Sequence, residues 1–337
     1  MDQMLDILAK VSPGTLLREA IDNIIKARTG GLLVIGGEPD IDADCDGGFM
    51  LDVPFNAAAV YELAKMDGAI LLDRDLTRIR RANVELIPKI AAPSTETGMR
   101  HRTAERIART RDALVVTVSQ RRSVVTLYVK QTRYVLQDLS FILTKATGAL
   151  ASLSRYDRLC RSAARRLTEA EIRGDVVLED VVELLRRMFI AMQIRREIRR
   201  YVVELGSDGH LVDLQLEEYP DLRREWHWLW MDYQVSPGVG VIEPETIDAT
   251  LWSYDQWVRA LGHCPETGRV EPRGYRVLHA IPRLSENIIG EVVHEFGSLA
   301  QIRRATTADL DRVRDVGPQR ARAIWKVFHD VGDTGTS

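Results

Sequence analysis

Cysteine is scarce, with three in 337 residues. Cys45, Cys160 and Cys264 lie far apart and form no Cys-x-x-Cys pair, which argues against a disulfide framework and a thiolate zinc site and leaves reduced, structural thiols. No apolar stretch approaches the roughly eighteen uninterrupted residues of a membrane span. The first ten residues are acidic and amphipathic where a signal peptide is basic and then apolar, so a cytoplasmic protein with no membrane partner is expected. An excess of one charge is also missing. Against 49 Asp and Glu stand 46 Lys and Arg, a net charge of −3, so any surface for nucleic acid must be local. Neither Gly-x-x-x-x-Gly-Lys nor Gly-x-Gly-x-x-Gly occurs, which argues against a P-loop NTPase and a dinucleotide oxidoreductase.

With 45% hydrophobic and 28% charged residues, the chain is long enough for two or three units that each bury a core. Its first part alternates helical and extended patterns. Pro13 and Gly14 precede an amphipathic run through Lys26, and the apolar strand Leu32, Leu33, Val34, Ile35 follows. A second helix fits residues 57–66 and a second strand 69–72. Two β-branched runs, 114–118 and 124–129, flank the turn Ser119-Gln120-Arg121-Arg122 as a hairpin. From 135 to 201 the pattern is long and helical, with Leu150, Leu153, Leu159, Leu167, Val181, Leu184, Leu185 and Met188 among charged residues. Trp226, Trp228 and Trp230 alternate as in a strand, yet their flanks place them more easily on a helix. A Pro- and Gly-containing stretch at 263–274 marks the next boundary, and short helices run on to 331. The predicted architecture is an α/β domain over 1–145 with a mixed sheet flanked by helices, an all-α domain over 146–272, and a small helical module over 273–331.

Two segments of the first part carry chemistry. Asp67-Gly68-Ala69 sits at a helix-to-strand junction, where a carboxylate beside a glycine suits a divalent metal or a ribose hydroxyl. Gly98 to Thr103 opens a predicted helix for which Ser94, Thr95 and Thr97 are candidate N-caps, so free amides coincide with Arg100, His101 and Arg102. That concentration of donors suits a polyphosphate. Alone, the first segment reads as a turn and the second as a solvated helix face; together they read as a nucleotide site. Other features stay structural. Asp42, Asp44 and Asp46 open like a calcium loop, but Val53 stands where the bidentate glutamate belongs, so a solvated loop is expected. His263 and Cys264 lack a second pair at zinc spacing, and the basic runs 161–166 and 195–200 read as solvated helix faces.

The Asp67-Gly68-Ala69 and Arg100-His101-Arg102 segments resemble the two signatures of the diadenylate cyclase domain. Gly47 to Phe55, Tyr61 to Ile70, Arg81 to Pro88 and Thr95 to Arg106 extend the similarity in order and spacing. The rest of the chain is similar to the DNA integrity scanning members of that family and unlike its membrane-anchored members. The resemblance implies an N-terminal cyclase domain, a helical linker domain and a C-terminal helix-hairpin-helix module. It also implies an activity. Each domain binds one ATP, two domains meet face to face, and each 3′-hydroxyl attacks the other α-phosphate, giving cyclic di-AMP and two pyrophosphates.

Carried over by position, Asp67 would hold Mg²⁺ or Mn²⁺ and activate the 3′-hydroxyl, Gly68 would meet the nucleotide with its backbone, and Leu86 would pack on adenine. Arg100, His101, Arg102 and Thr103 would hold the phosphates, Arg100 and His101 acting with Asp67 in catalysis, while Ser119 and Arg122 complete the surroundings. Charge building on the α-phosphate and pyrophosphate is the main demand of such a transfer, and cations and aimed amides meet it. Met99 departs from the family pattern, which usually has threonine there; the missing hydroxyl removes at most one hydrogen bond, worth about 0.5–1.5 kcal/mol.

In the tail, Val313 to Arg322 reads as a helix, a tight turn at Gly317 and a second helix, which resembles a helix-hairpin-helix. Gly317 and Gln319 would offer backbone to a DNA phosphate, and Arg320, Arg322 and Lys326 would add charge. A preceding unit, Leu278 to Phe296, has Ile281-Pro282-Arg283-Leu284 where a glycine hairpin would lie. The plain alternative is a helical bundle with an ordinary Gly-Pro turn. Related proteins are octamers of two tetramers, and the implied partner is branched DNA such as Holliday junctions, which would suppress synthesis in a bacterial, nucleoid-associated protein. Two other readings compete. One is a non-catalytic, nucleotide-sensing DNA-binding scaffold; the other is a nucleotidyltransferase acting on a nucleic-acid end, which needs a carboxylate pair where only Asp67 is well placed, Asp73 and Asp75 being expected to face solvent.

Overall fold

The computed structural model describes residues 2–89, 92–121, 124–236 and 240–329. Two compact units divide the chain, one of residues up to 147 together with 199–214, the other of 148–198 with 215 onward. The first unit contains helices α1 (Asp2–Val11), α2 (Leu16–Ala27), α3 (Ala57–Leu63) and α4 (Met99–Thr110). Its strands are β1 (Gly31–Gly36), β2 (Cys45–Asp46), β3 (Phe49–Pro54), β4 (Ala69–Leu72), β5 (Arg78–Leu86), β6 (Ala113–Val118), β7 (Val125–Val129) and β8 (Thr132–Val135). They form one sheet in the order β2-β5-β4-β1-β6-β7-β8, with β3 also paired to β5. Only β1 and β4 run parallel among the described pairs, so the sheet is mixed as expected.

Strand alternation builds two cores. Leu33 and Ile35 of β1, Ile70 and Leu72 of β4 and Leu114, Val116 and Val118 of β6 join Ile7, Leu8, Leu17, Ile21, Ile24 and Val60 of α1 to α3. The intervening Leu32, Val34, Ala69, Leu71, Ala113 and Val115 face Ala104, Ile107 and Ala108 of α4. A sheet covered on both faces reads as continuous apolar runs, which is why β1, β4 and β6 are legible. In β5, Ile79 and Ala82 belong to the first core and Val84 and Leu86 to the second; the phase changes around Asn83, whose φ is 54°, beside the register shifts between β4 and β5.

The predicted helix at 57–66 stops at Leu63, and Lys65 and Met66 continue as a turn. A larger correction concerns Asp44. It is not in a solvated loop: its side chain is 1% exposed, it meets Arg111 at 2.6 Å, and it accepts the Lys89 amide at 3.0 Å. A carboxylate cannot be buried alone, and the arginine that compensates it lies 67 residues away.

The second unit holds most of α5 (Leu139–Arg173) and α6 (Leu178–Leu205), the helices α8 (Arg223–Tyr233) and α9 (Tyr254–Ala260), and part of α7 (His210–Glu217). Trp226, Trp228 and Trp230 lie on α8, all buried, with Trp226 stacked on Trp230 at 5.5 Å and Trp228 on Tyr275 at 5.9 Å. Helices α10 (Tyr275–His279), α11 (Glu286–Phe296), α12 (Leu299–Arg304), α13 (Thr307–Asp311) and α14 (Gly317–His329) follow around a core that includes Leu278, Ile289, Val292, Leu310, Val316 and Ile324. The helix expected at Val313 ends earlier, at Asp311, because Asp315 takes a left-handed φ of 63° and residues 312–316 form the turn.

At the start of α10 the buried Asp232 carboxyl accepts the amides of Gly274, Tyr275 and Arg276 at 2.7, 2.7 and 2.8 Å. Burial, aided by the nearby Glu171 charge and opposed by these amides, pushes its pKa up to about 7. Arg276 in turn pairs with the buried Glu171 at 2.6 Å, and the Tyr233 hydroxyl donates to Glu171 at 2.7 Å.

Asp44→Ala leaves Arg111 without its partner and should cost about 3 kcal/mol, read as a lower denaturant midpoint with unchanged slope. Burial opposes the Asp44 charge, but the Arg111 hydrogen bond and the Lys89 amide prevail and hold its pKa below the ordinary 3.8. The contribution is therefore present above that ordinary value and is lost as pH falls through the folded one. The gap between wild type and variant should be full at neutral pH and narrow below about pH 4.

Candidate functional site

Strand direction collects the candidate residues at one end of the sheet. Because β4 runs with β1 while β5 and β6 run against them, the beginnings of β1 and β4 lie beside the ends of β5 and β6. Gly30, Asp67-Gly68, Leu86 and Ser119 therefore share that end. Gly68 is there because β5 leaves no room: a Cβ would stand 2.4 Å from the Asn83 carbonyl carbon and 2.7 Å from the Val84 nitrogen. At Gly30, φ is +75° and a Cβ would meet an Arg100 guanidinium nitrogen at 2.7 Å, so this glycine leaves space for the arginine.

Helix α4 brings the cationic residues to the same end. Its N-cap is Gly98, with no side-chain cap, in place of Ser94, Thr95 or Thr97. The Ser94 hydroxyl and the Thr95 amide instead donate to one oxygen of Glu105 at 2.6 and 3.0 Å. Burial opposes the Glu105 charge, yet these two bonds and the Arg109 guanidinium hold its pKa below the ordinary value. Arg106 and Arg109 donate to the carbonyls of Ala92 and Pro93 at 3.1 and 3.0 Å. The loop is thus bound along the helix, and the first turn of α4 has no side-chain cap across it. Met99, 82% exposed, stands at that opening.

The triplet splits three ways, because successive helix residues turn by about 100°. Arg100 reaches the Asp67 carboxylate at 2.9 Å; with Asp67 98% exposed, the pair is solvated and loosely held. His101 turns to the sheet, its Nδ1 lying 2.9 Å from the Tyr128 hydroxyl and 3.2 Å from that of Thr117. Arg102 reaches back to the carbonyls of Glu96 and Thr97 at 3.4 and 3.5 Å, so the structure does not bring it to Asp67. Thr103, half-buried, lies one turn beyond Arg100 on the same helix face. Leu86 is 8% exposed and belongs to the α4 core. The Ser119 amide donates to the Val124 carbonyl at 2.9 Å, at the start of the hairpin turn, and Arg122 lies outside the described residues.

Glu96, Tyr128 and Arg133 surround His101 and were missed in the sequence. The Tyr128 hydroxyl donates to Glu96 at 2.9 Å, and Arg133 meets the same carboxylate oxygen at 2.7 Å. Tyr128 hides in the apolar β7 run, and nothing in the spacing ties Glu96 to it. Among the described residues no group of three His, Cys, Asp or Glu is arranged to hold a metal.

In the second unit the turn at 281–283 and the segment 316–320, where the 312–316 turn runs into the start of α14, border one groove of about 900 Å³, lined among others by Pro282, Arg283, Gly317, Gln319 and Arg320. Arg283 and Gly317 both have left-handed backbones, φ 69° and 66°, so the two turns repeat one device although only one uses glycine. Arg320 joins them, donating to the Arg283 carbonyl at 3.4 Å and to the Asp315 carbonyl at 2.9 Å. Arg322 and Lys326 are exposed farther along α14.

Gly68→Ala should lose about 1–3 kcal/mol of stability by overpacking against β5, visible as a lower melting temperature. An unchanged melt would mean that β5 yields there.

The family described as DisA bacterial checkpoint controller nucleotide-binding matches residues 18–133, and that described as DisA bacterial checkpoint controller linker region matches 136–257. A DNA integrity scanning protein DisA from Carboxydothermus hydrogenoformans is 42% identical over 328 residues, covering 94% of this chain and 93% of that protein. Proteins of the same name from Bacillus licheniformis and Symbiobacterium thermophilum are 40% and 41% identical, covering 95% and 94% of this chain and 92% and 93% of their own lengths. Similarity at this level over nearly the full length places the site described above within known kin: the chain belongs to the DisA family of bacterial checkpoint controllers, and residues 18–133 are its nucleotide-binding domain.

Proposed function

We propose that the chain is a diadenylate cyclase that joins two ATP into cyclic di-AMP with release of two pyrophosphates. The observation that carries this reading is the meeting of Asp67 with Arg100 at the uncapped start of α4, inside the family's nucleotide-binding domain. Asp67 takes the role of orienting and deprotonating a 3′-hydroxyl, Arg100 that of neutralising phosphate charge, and the first-turn amides add donors. Each attacking oxygen forms a bond to the α-phosphorus of the other ATP as the bond to pyrophosphate breaks, so two domains must face each other. This calls for a homo-oligomer, and the octamer of the related proteins is the assembly proposed.

An exposed carboxylate, with no group of three metal ligands among the described residues, fits Mg²⁺ or Mn²⁺ held chiefly by phosphate oxygens and water, with Asp67 as its protein ligand. Such an ion, when bound, offsets charge on the triphosphate. Leu86, Thr103, Ser119 and Arg122 are proposed to complete the ATP surroundings. For Arg102, the reach toward loop carbonyls supports positioning of the loop ahead of direct phosphate contact.

The groove between the two C-terminal turns is proposed as a helix-hairpin-helix site for branched DNA. Gly317 and Gln319 offer backbone, Arg320 holds the turns together, and Arg322 and Lys326 add charge. Domains are proposed at 1–145, 146–272 and 273–331, in a cytoplasmic, nucleoid-associated protein.

Wild type incubated with ATP and Mn²⁺ or Mg²⁺ should yield cyclic di-AMP by chromatography and mass, and Asp67→Asn should lower the yield by about 100-fold or more. Nucleotide binding without product in the wild type would move the protein to the sensor reading. Replacing both Arg322 and Lys326 by alanine should weaken Holliday-junction binding and reduce the salt slope by about one to two. Saturating junction DNA should lower the rate of synthesis, and an unchanged rate would remove the regulatory coupling.

A further inference from the structure

The hydrogen bonds behind His101 have a direction. Glu96 is paired to the Arg133 guanidinium at 2.7 Å, and a carboxylate so held can only accept. The Tyr128 hydroxyl therefore spends its single proton on Glu96, at 2.9 Å. Burial, together with that same bond, pushes the Tyr128 pKa up, so the phenol keeps the proton it donates. The Thr117 hydroxyl has the Thr126 carbonyl, at 3.3 Å, as an acceptor for its own proton, which leaves a lone pair for Nδ1. The Tyr128 oxygen thus has only lone pairs to offer Nδ1 of His101, at 2.9 Å, and the Thr117 oxygen, at 3.2 Å, can accept from it as well. With the Tyr128 proton spent on Glu96, both contacts are satisfied when Nδ1 carries the hydrogen.

We propose that Glu96, acting through Tyr128, fixes His101 in the Nδ1–H tautomer, which makes Nε2 of the neutral ring a hydrogen-bond acceptor. Glu96 and Tyr128 are positioning residues that act through His101. The consequence bears on the proposed reaction and there rests on the cyclase reading. A neutral His101 cannot offer Nε2–H to a phosphate; its Nε2 accepts, and suits a hydroxyl or a metal-bound water better than a phosphate oxygen. Removal of the Glu96 carboxylate should invert the chain. Arg133 would then donate to the Tyr128 oxygen, the phenol proton would turn to Nδ1, and the ring hydrogen would move to Nε2.

The test is ¹⁵N NMR of the full-length chain labelled at histidine, in the solid state at roughly pH 8.5, where an ordinary imidazole is neutral. The seven histidines are resolved by comparison with His101→Gln. Wild type and Glu96→Gln, which keeps an acceptor for Tyr128, should show Nδ1 protonated and Nε2 bare, and Glu96→Leu should show the reverse. An Nε2–H ring in the wild type overturns the proposal, and so does an Nδ1–H ring that persists in a folded Glu96→Leu. In the cyclase assay Glu96→Leu should lower kcat by about 10- to 100-fold while KM for ATP changes by less than about threefold. Equal losses in kcat and kcat/KM for Glu96→Gln and Glu96→Leu would mean a merely electrostatic role and would also overturn it. The arms are separable: wild type that makes no cyclic di-AMP defeats the cyclase reading, while the ring spectrum still decides the tautomer.

Discussion

Everything in the first unit depends on a sheet that is covered on both faces. Leu33 and Ile35 are taken up by α1 to α3, and Leu32 and Val34 by α4, so no face of β1 remains for a ligand. What is left is the sheet's end, where backbone turns and polar groups escape burial. The parallel pairing of β1 and β4, against β5 and β6, then brings four chain segments to that one end. Covering one face with α4 also delivers the start of that helix to the same place, so packing and site geometry are a single solution.

The same logic separates what was legible in the sequence from what was not. β1, β4 and the β6–β7 hairpin announced themselves because buried strands are apolar throughout. β5 did not, because Arg78, Arg80 and Arg81 give it a polar appearance; they are neutralised by Asp52, Glu38 and Asp42, partners that lie on other segments. Asp67 and Arg100 could be named from their motifs and do meet. Ser94, Thr95 and Thr97 looked like helix caps because hydroxyls before an amphipathic run usually are. A buried glutamate in the middle of α4, Glu105, claims two of those groups first, and no local pattern signals it.

Asp44 and His101 make the point from opposite directions. The sequence pattern makes Asp44 a solvated carboxylate, and it is buried; it makes His101 one of a cluster of phosphate donors, and the ring turns its Nδ1 to Tyr128 and Thr117, residues remote in sequence. Tyr128 and Arg133 lie 27 and 32 positions beyond His101; Tyr128 reaches the ring and Arg133 reaches Glu96 because β7 and β8 pair beside β6. Residue type tells which chemistry is available, whereas the direction of a hydrogen bond depends on a tertiary partner.

A mechanical consequence follows from Asp232. Its carboxyl grips three successive amides at the start of α10, and Arg276, the third of those residues, is anchored to Glu171 on α5. The entry to the C-terminal helices is thus a clamped joint and not a swivel. Such a joint fixes the direction in which α10 leaves α8 and α5, which a glycine-rich tether would leave open. Two buried acids, Asp232 and Glu171, hold that joint from different helices.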